Sequence, residues 1–445
     1  MDERRLLELL EDKKYLEIKQ KISKLNEVDV AELLDPLDAQ NTLLIFRMLP
    51  KDVAVEVFAH FSKEQQIGII QAVTDEEVEN IIEDLFFDDM IDLIEEVPAN
   101  VVNKILRYAR EDERRLVNQF LNYPQDSAGS LMTIEYVNLT RNLSVKEALA
   151  HIKEVGLTSE TIYTCYVTDK NRKLEGFVSL RKIVTSEEDV IIEDIMEFDV
   201  ISVNTNDDQE TVAGVFSRYG FVALPVVDRE NRLIGIITVD DIMGIIEKEA
   251  TEDFQIMAGT SPTEDSYIDA SVLQLVRNRL PWLLILMISG TFTGRIMARF
   301  ENVLATHVIL STFIPMLMDT GGNSGSQSST LIIRGLAVGD IKVTDGAKVL
   351  WKELRISLIV GLVLAVVNYG RLVLLEHVLS PIAFTVSVTL VATVVSAKLV
   401  GGFLPIIAEK FNMDPAIMAG PLITTIVDAL ALFVYFLIAQ SVLGI

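Results

Sequence analysis

Asp428 is an ionisable residue inside an otherwise apolar run, Pro421-Leu422-Ile423-Thr424-Thr425-Ile426-Val427-Asp428, which continues to Gln440. Counted from Pro415 the stretch can cross a bilayer, which takes about 20 residues as a helix. A carboxylate at that depth costs about 2.5–3.5 kcal/mol on insertion scales, so it must face a bundle interior or a watery path. Two readings follow: an ion or proton site, or a protonated Asp tied to a neighbouring helix. Thr424, one turn earlier, presents its carbonyl or hydroxyl to the same side. Pro421 is expected to remove a helical hydrogen bond and free a carbonyl near Ile417. Asp414 is expected about 21 Å away along a continuous helix, at the cytosolic mouth.

A second polar island, Asp319-Thr320-Gly321-Gly322-Asn323-Ser324-Gly325-Ser326-Gln327-Ser328-Ser329-Thr330, also lies in an apolar run. In hydrocarbon such a composition must face protein or water. Its glycines and serines equally allow close helix packing. Two carboxylates from a two-fold dimer, with backbone carbonyls, would hold a hard divalent cation through its water shell, because Mg²⁺ dehydrates reluctantly.

The elements that position these groups are apolar spans at roughly 280–298, 303–334, 354–376, 381–407 and 415–443. The loop after the second span carries Arg334, Lys342, Lys348, Lys352 and Arg355, which places it in the cytosol by the positive-inside rule. The N-terminal half is then cytosolic and the C-terminus outside, in a multi-pass protein of the cell membrane. Lys410 agrees, while Arg295, Arg299 and Arg371 fall on the other side.

Charge divides the chain. Its net charge is −26, yet residues 271–445 hold 12 Lys and Arg against 9 Asp and Glu. The acidic excess therefore sits in residues 1–270, which repels nucleic acid and concentrates small cations. The single cysteine, Cys165, allows no internal disulfide. The start, Met1-Asp2-Glu3-Arg4-Arg5, lacks a signal-peptide core. Asp319 and Asp428 could pair as an intramembrane protease, but no Gly-x-Gly-Asp is present. The four histidines form no His-Glu-x-x-His zinc site. An enzyme is not expected.

Residues 1–125 read as short helices stacked in a superhelix, punctuated by Pro36, Pro50, Ser62, Thr74 and Pro98. Thr74-Asp75-Glu76-Glu77 has the capping-box form. The acidic stretch 83–92 contains Asp84, Asp88, Asp89 and Asp92; it is either a solvated face or a face that docks through cations. Residues 130–250 contain a duplication. Thr164-Cys165-Tyr166-Val167-Thr168-Asp169 and Leu174-Glu175-Gly176-Phe177-Val178 repeat as Ala223-Leu224-Pro225-Val226-Val227-Asp228 and Leu233-Ile234-Gly235-Ile236-Ile237. Each unit reads as helix, strand, Asp-bearing turn, strand and helix, with a cleft between the units. Residues 240–253 form an acidic helix, either a connector to the membrane or a solvated linker.

The duplication resembles a tandem of cystathionine-β-synthase-type (CBS) domains, regulatory modules that bind adenosyl nucleotides or cations. Asp228, Thr238 and Asp240 are either ribose contacts for a nucleotide such as ATP or ordinary turn residues. With the signature Pro315-Met316-Leu317-Met318-Asp319 through Ser328 and the segment 421–428, the whole chain resembles the MgtE family of Mg²⁺ channels or transporters. That resemblance implies a multi-domain α plus α/β protein. Its parts would be a helical acidic N-domain (1–128), CBS units at 129–190 and 191–248, a connecting helix with linker (249–275) and a five-span transmembrane domain (276–445). It implies a homodimeric pore with Asp428 at the selectivity site, flanked by Thr424, Gly420, Asp319 and Asn323. By motif match it places regulatory Mg²⁺ on Asp208, Glu210, Asp241, Glu249, Glu252, Asp253 and Asp414. N-domain ligands are expected separately, without a motif, on the acidic stretch at Asp84, Asp88, Asp89 and Asp92. Two acidic positions of the family fall on Gly220 and Gly244, so part of its sensing constellation is absent here. The alternatives are a transporter of Mn²⁺ or Co²⁺ and a proton-coupled carrier.

Overall fold

The computed structural model describes residues 2–109, 111–263, 267–268 and 270–444. The chain forms two compact units, residues 1–246 and 247–445.

In the first unit, ten helices of eight to ten residues lie between Glu3 and Phe120 among the described residues. Each is too short to persist alone. Their starts are set locally: Asp38 accepts from the amides of Gln40 and Asn41, and Thr74 and Glu77 form a reciprocal capping box. Helices pack on those two places along the chain. Lys51–Ala59 touches both Glu27–Leu34 and Asp75–Asp84, and the latter touches Ala99–Tyr108. This is the expected superhelix. Its core, with Leu34, Phe58, Ile70, Ile82, Phe87 and Phe120, runs on into Val203, Phe216 and Ile237 of the following fold.

That fold holds two three-stranded sheets. The first comprises β1 (Tyr136–Leu139), β2 (Thr161–Thr168) and β3 (Leu174–Ser179). The second comprises β4 (Val203–Asn204), β5 (Ala223–Val227) and β6 (Leu233–Thr238). In each, the first pair is parallel and the second antiparallel. The crossover helices Val145–Val155 and Gln209–Tyr219 supply the parallel connections. The duplicated glycines do the same work in both halves. A Cβ on Gly176 would lie 2.7 Å from the Glu197 carbonyl oxygen, and one on Gly235 2.5 Å from that of Thr133. Each strand thus meets a neighbouring backbone that only glycine admits.

The second unit is built on five long helices: Val272–Arg299, Ile314–Ala337, Gly346–Leu374, Ser380–Lys410 and Gly420–Leu443, called here the first to fifth. By length and composition the first, third, fourth and fifth can cross a membrane. The second is long enough, and its polar island explains its lower hydropathy. It also starts later than the apolar run suggested, because Glu301–Thr306 and a 3₁₀ turn at Val308–Phe313 precede it. Backbones come very close at its middle. A Cβ on Gly401 of the fourth helix would lie 2.3 Å from the Gly325 carbonyl oxygen. Small residues permit this approach.

Candidate functional site

The fifth helix starts at Gly420, with Pro421 in its first turn. A proline there needs no amide partner, so Pro421 breaks no bond inside this helix. Pro415–Met418 is instead a 3₁₀ turn, and Ala419 is extended with φ −102° and ψ −173°. Asp414 and Asp428 therefore do not share one continuous helix, and the 21 Å spacing expected of one does not apply. Asp414 Oδ1 accepts from the Ala416 amide at 2.7 Å and holds this break. The Thr424 and Thr425 hydroxyls both donate to the Pro421 carbonyl, at 2.9 and 3.0 Å.

One turn on, half-buried Asp428 has Asp319 of the second helix as its electrostatic neighbour. Asn323 Nδ2 donates to Asp319 Oδ1 at 3.1 Å. Asp319, Asn323 and Gln327, four residues apart, form an exposed polar stripe on that helix. Behind the stripe a Cβ on Gly322 would lie 2.9 Å from Thr424 Cγ2, and one on Gly325 2.7 Å from Ile423 Cγ2. The small residues thus let the second helix bring Asp319 to the level of Asp428. Such a face presents carboxylate and amide oxygens, the donors a hard cation prefers.

Toward the end of the connecting helix (Val239–Met257), Ile256 and Met257 pack with Ile333, Ala416 and Ala419. A Cβ on Gly420 would lie 2.9 Å from the Met257 carbonyl oxygen. Half-buried Asp253 has Asp414, Glu252 and Arg334 as charged neighbours. Its pKa is raised, chiefly by burial and then by Asp414 and Glu252, with Arg334 opposing. This places Glu252, Asp253 and Asp414 together. Glu249 lies one turn earlier on the same helix.

A second acidic group lies within the first unit. Glu135 reaches the start of the helix Phe87–Glu96, where the Phe87 amide donates to its Oε2 at 2.9 Å. Asp88 and Asp89 follow in the first turn. Asp88 Oδ1 and Glu160 Oε2 are both buried without a hydrogen-bond partner. Burial, then the charges of Asp89, Asp241 and Glu160, push the Asp88 carboxyl well above the usual range. Burial, Asp241 and Asp92 raise Asp89 to about 7, with Lys63 opposing. Glu160 rises to about 8 through burial and then Asp241, Asp240 and Asp89. A buried carboxylate oxygen without a partner calls for a proton or a cation. Nothing in the sequence marks Glu135 or Glu160, because a lone Glu beside a strand looks like any solvated residue.

Other expected site residues are held by local structure. Asp208 caps the helix Gln209–Tyr219 through the Glu210 amide, at 2.9 Å. Gly220 ends that helix at φ +65°, a left-handed position that favours glycine over an acid. Asp228 Oδ1 accepts from the amides of Glu230 and Arg232, which makes it a turn residue. Thr238 donates to Asp241 Oδ2 at 2.6 Å, and Asp240 is exposed. Among the described residues, no three His, Cys, Asp or Glu side chains converge closely enough to cage a metal ion.

Comparison with known proteins follows the same division. Residues 25–126 match the MgtE intracellular N domain, 128–189 and 192–248 match the CBS domain, and 314–438 match MgtE, described as a divalent cation transporter. The chain is 34% identical to the magnesium transporter MgtE of Thermus thermophilus, over 98% of both chains. It is 31% identical to that of Bacillus subtilis, over 98% of this chain and 96% of the relative. A solved cytosolic domain of the Mg²⁺ channel MgtE in complex with ATP superposes with a TM-score of 0.51 at 32% identity, covering 54% of this chain and 98% of that one. With its helical N-domain, CBS pair and bundle of long helices, this chain belongs to the MgtE family of divalent cation transporters.

Proposed function

We propose that this protein conducts Mg²⁺ across the cell membrane through a pore made by two copies, with selection at Asp428. The observation that carries this reading is the oxygen-rich face on which Asp319, hydrogen-bonded to Asn323, neighbours Asp428. Two such faces across a two-fold axis would hold a cation through its water shell, which suits Mg²⁺. Thr424 and Gly420 shape the entrance to this site. The N-terminal domains are cytosolic and the C-terminus lies outside.

Regulation follows from the acidic groups. Mg²⁺ binding at Asp88, Asp89, Asp92 and Asp241, and near Asp208 and Glu210, relieves carboxylate repulsion within the first unit. Mg²⁺ at Glu249, Glu252, Asp253 and Asp414 holds the connecting helix over the start of the fifth helix and closes the mouth. Swinging such an equilibrium from 1:99 to 99:1 needs a roughly 10⁴-fold tighter affinity for the closed form. The CBS pair is the proposed seat of an adenosyl nucleotide such as ATP. Asp228, Thr238 and Asp240 are the residues proposed to meet its ribose.

The decisive experiment is Mg²⁺ uptake into liposomes holding the purified full chain, wild type against Asp428→Ala. Uptake driven by the Mg²⁺ gradient and membrane potential, and lost in the variant, supports the reading. Uptake that requires a pH gradient supports a proton-coupled carrier instead. Mn²⁺ or Co²⁺ uptake that outpaces Mg²⁺ assigns a different cation.

A further inference from the structure

Three polar side chains meet inside the membrane unit, away from Asp428. Glu353 of the third helix, Ser328 of the second and Lys398 of the fourth are 7%, 1% and 5% exposed. The Ser328 hydroxyl donates to Glu353 Oε2 at 2.6 Å. Lys398 Nζ donates to Ser328 Oγ at 3.3 Å and to the Ser324 carbonyl at 3.4 Å. By helical rise each lies roughly 10–18 Å inside the nearer end of its helix, and each is buried, where a lone charged Glu or Lys is costly. Ammonium, hydroxyl and carboxylate in series give a charge-balanced unit whose removal in part leaves a buried charge unpaired.

The placement on the second helix matters. Ser324 and Ser328 are buried on its back, whereas Asp319 and Asn323 are exposed on its front. Glycine contacts bring the backbones together, and the rotation of the helix about its own axis depends on which side chains it sets against its neighbours. A directional polar tie fixes that rotation.

We propose that Lys398, Ser328 and Glu353 are positioning residues for permeation: they fix the rotation of the second helix and so aim Asp319 and Asn323 at the cation path. The proposal rests on the transport reading above and adds to it residues that touch no permeating ion.

The test uses the purified full chain in liposomes, with uptake of Mg²⁺ and Mn²⁺ normalised to folded protein by size-exclusion chromatography. The variants are Ser328→Ala, Lys398→Arg, Glu353→Gln, Lys398→Met and the exchange Glu353→Lys with Lys398→Glu. Glu353→Gln and Lys398→Met should each lower Mg²⁺ uptake about tenfold or more and shift the Mn²⁺:Mg²⁺ ratio, as loss of an outer-shell partner does. Ser328→Ala, the mildest cut, should shift the ratio in the same direction. Lys398→Arg and the charge exchange should recover most of both. An unchanged ratio in every folded variant overturns the proposal, even where less protein folds. So does a loss that neither Lys398→Arg nor the exchange restores. A wild type that carries no Mg²⁺ would instead sink the transport reading.

Discussion

Gly401 and Gly325 meet backbone to backbone, and that contact sets how close the second and fourth helices lie. A Cβ on Gly401 would stand 2.3 Å from the Gly325 carbonyl oxygen, 3.0 Å from its carbon and 3.2 Å from its Cα. None of these atoms can swing aside as a flexible side chain would. Gly401→Ala is therefore expected to destabilise the protein by about 1–3 kcal/mol, the usual cost of overpacking, and to reduce transport by moving the second helix. Gly214 of the helix Gln209–Tyr219 has open space, with nothing within 4 Å of where a Cβ would stand. Gly214→Ala should stabilise by about 0.4–1 kcal/mol. Thermal unfolding of both variants in detergent checks the pair. Residue types alone pick out Asp428, Asp319 and Asn323, because a polar atom in an apolar run has to be compensated. Lys398 carries the same signature, a single lysine in the run 381–407, and Glu353 borders the run 354–376. Their union through Ser328 needs three helices in register, and periodicity within any one of them does not contain it.

Helix starts are the most legible elements, since a cap is written within four residues. Thr74-Asp75-Glu76-Glu77 forms the capping box it spells, with Glu77 Oε2 accepting from the Thr74 amide at 2.7 Å. No local pattern announces that Arg47, thirty positions earlier, also grips Glu77, with Nε to Oε1 at 2.8 Å. Pro421 shows the opposite case. The same proline breaks a helix from inside or starts one, and the tertiary packing of Ala416 and Ala419 against Ile333 accompanies the second outcome. The Arg47 pair and the cap hold the Glu77 carboxyl down at about 2. A depressed acid stabilises the fold above its ordinary pKa, and that contribution disappears as pH falls from about 4.5 through 2. Amide exchange across residues 75–84 should therefore quicken in acid more in the wild type than in Glu77→Gln. Thr74→Ala should cost about 1 kcal/mol of local protection at neutral pH. Equal acid sensitivity in wild type and Glu77→Gln would refute the assignment.

The acidic half of the molecule should respond to pH in the reverse sense. Asp89 and Glu160 are raised to about 7 and about 8, by burial first and then by neighbouring carboxylates. In the unfolded chain both ionise near pH 4. Between that pH and about 8 the folded form holds more protons, so stability falls as pH rises and levels off above the folded values. A cation that binds the ionised carboxylates replaces those protons, so its binding strengthens with pH and releases protons. The expected outcome for the full chain in detergent is faster proteolysis of residues 1–246 at pH 8 than at pH 6 without Mg²⁺. Added Mg²⁺ should protect at both, and more strongly at pH 8. Asp89→Asn with Glu160→Gln removes two of the raised acids, leaves Asp88 and Asp241, and should reduce the difference. The Glu77 pair acts below pH 5 and so leaves this window clear. Protection by Mg²⁺ that is identical at both pH values, or a pH difference undiminished in the double variant, would detach Asp89 and Glu160 from cation sensing.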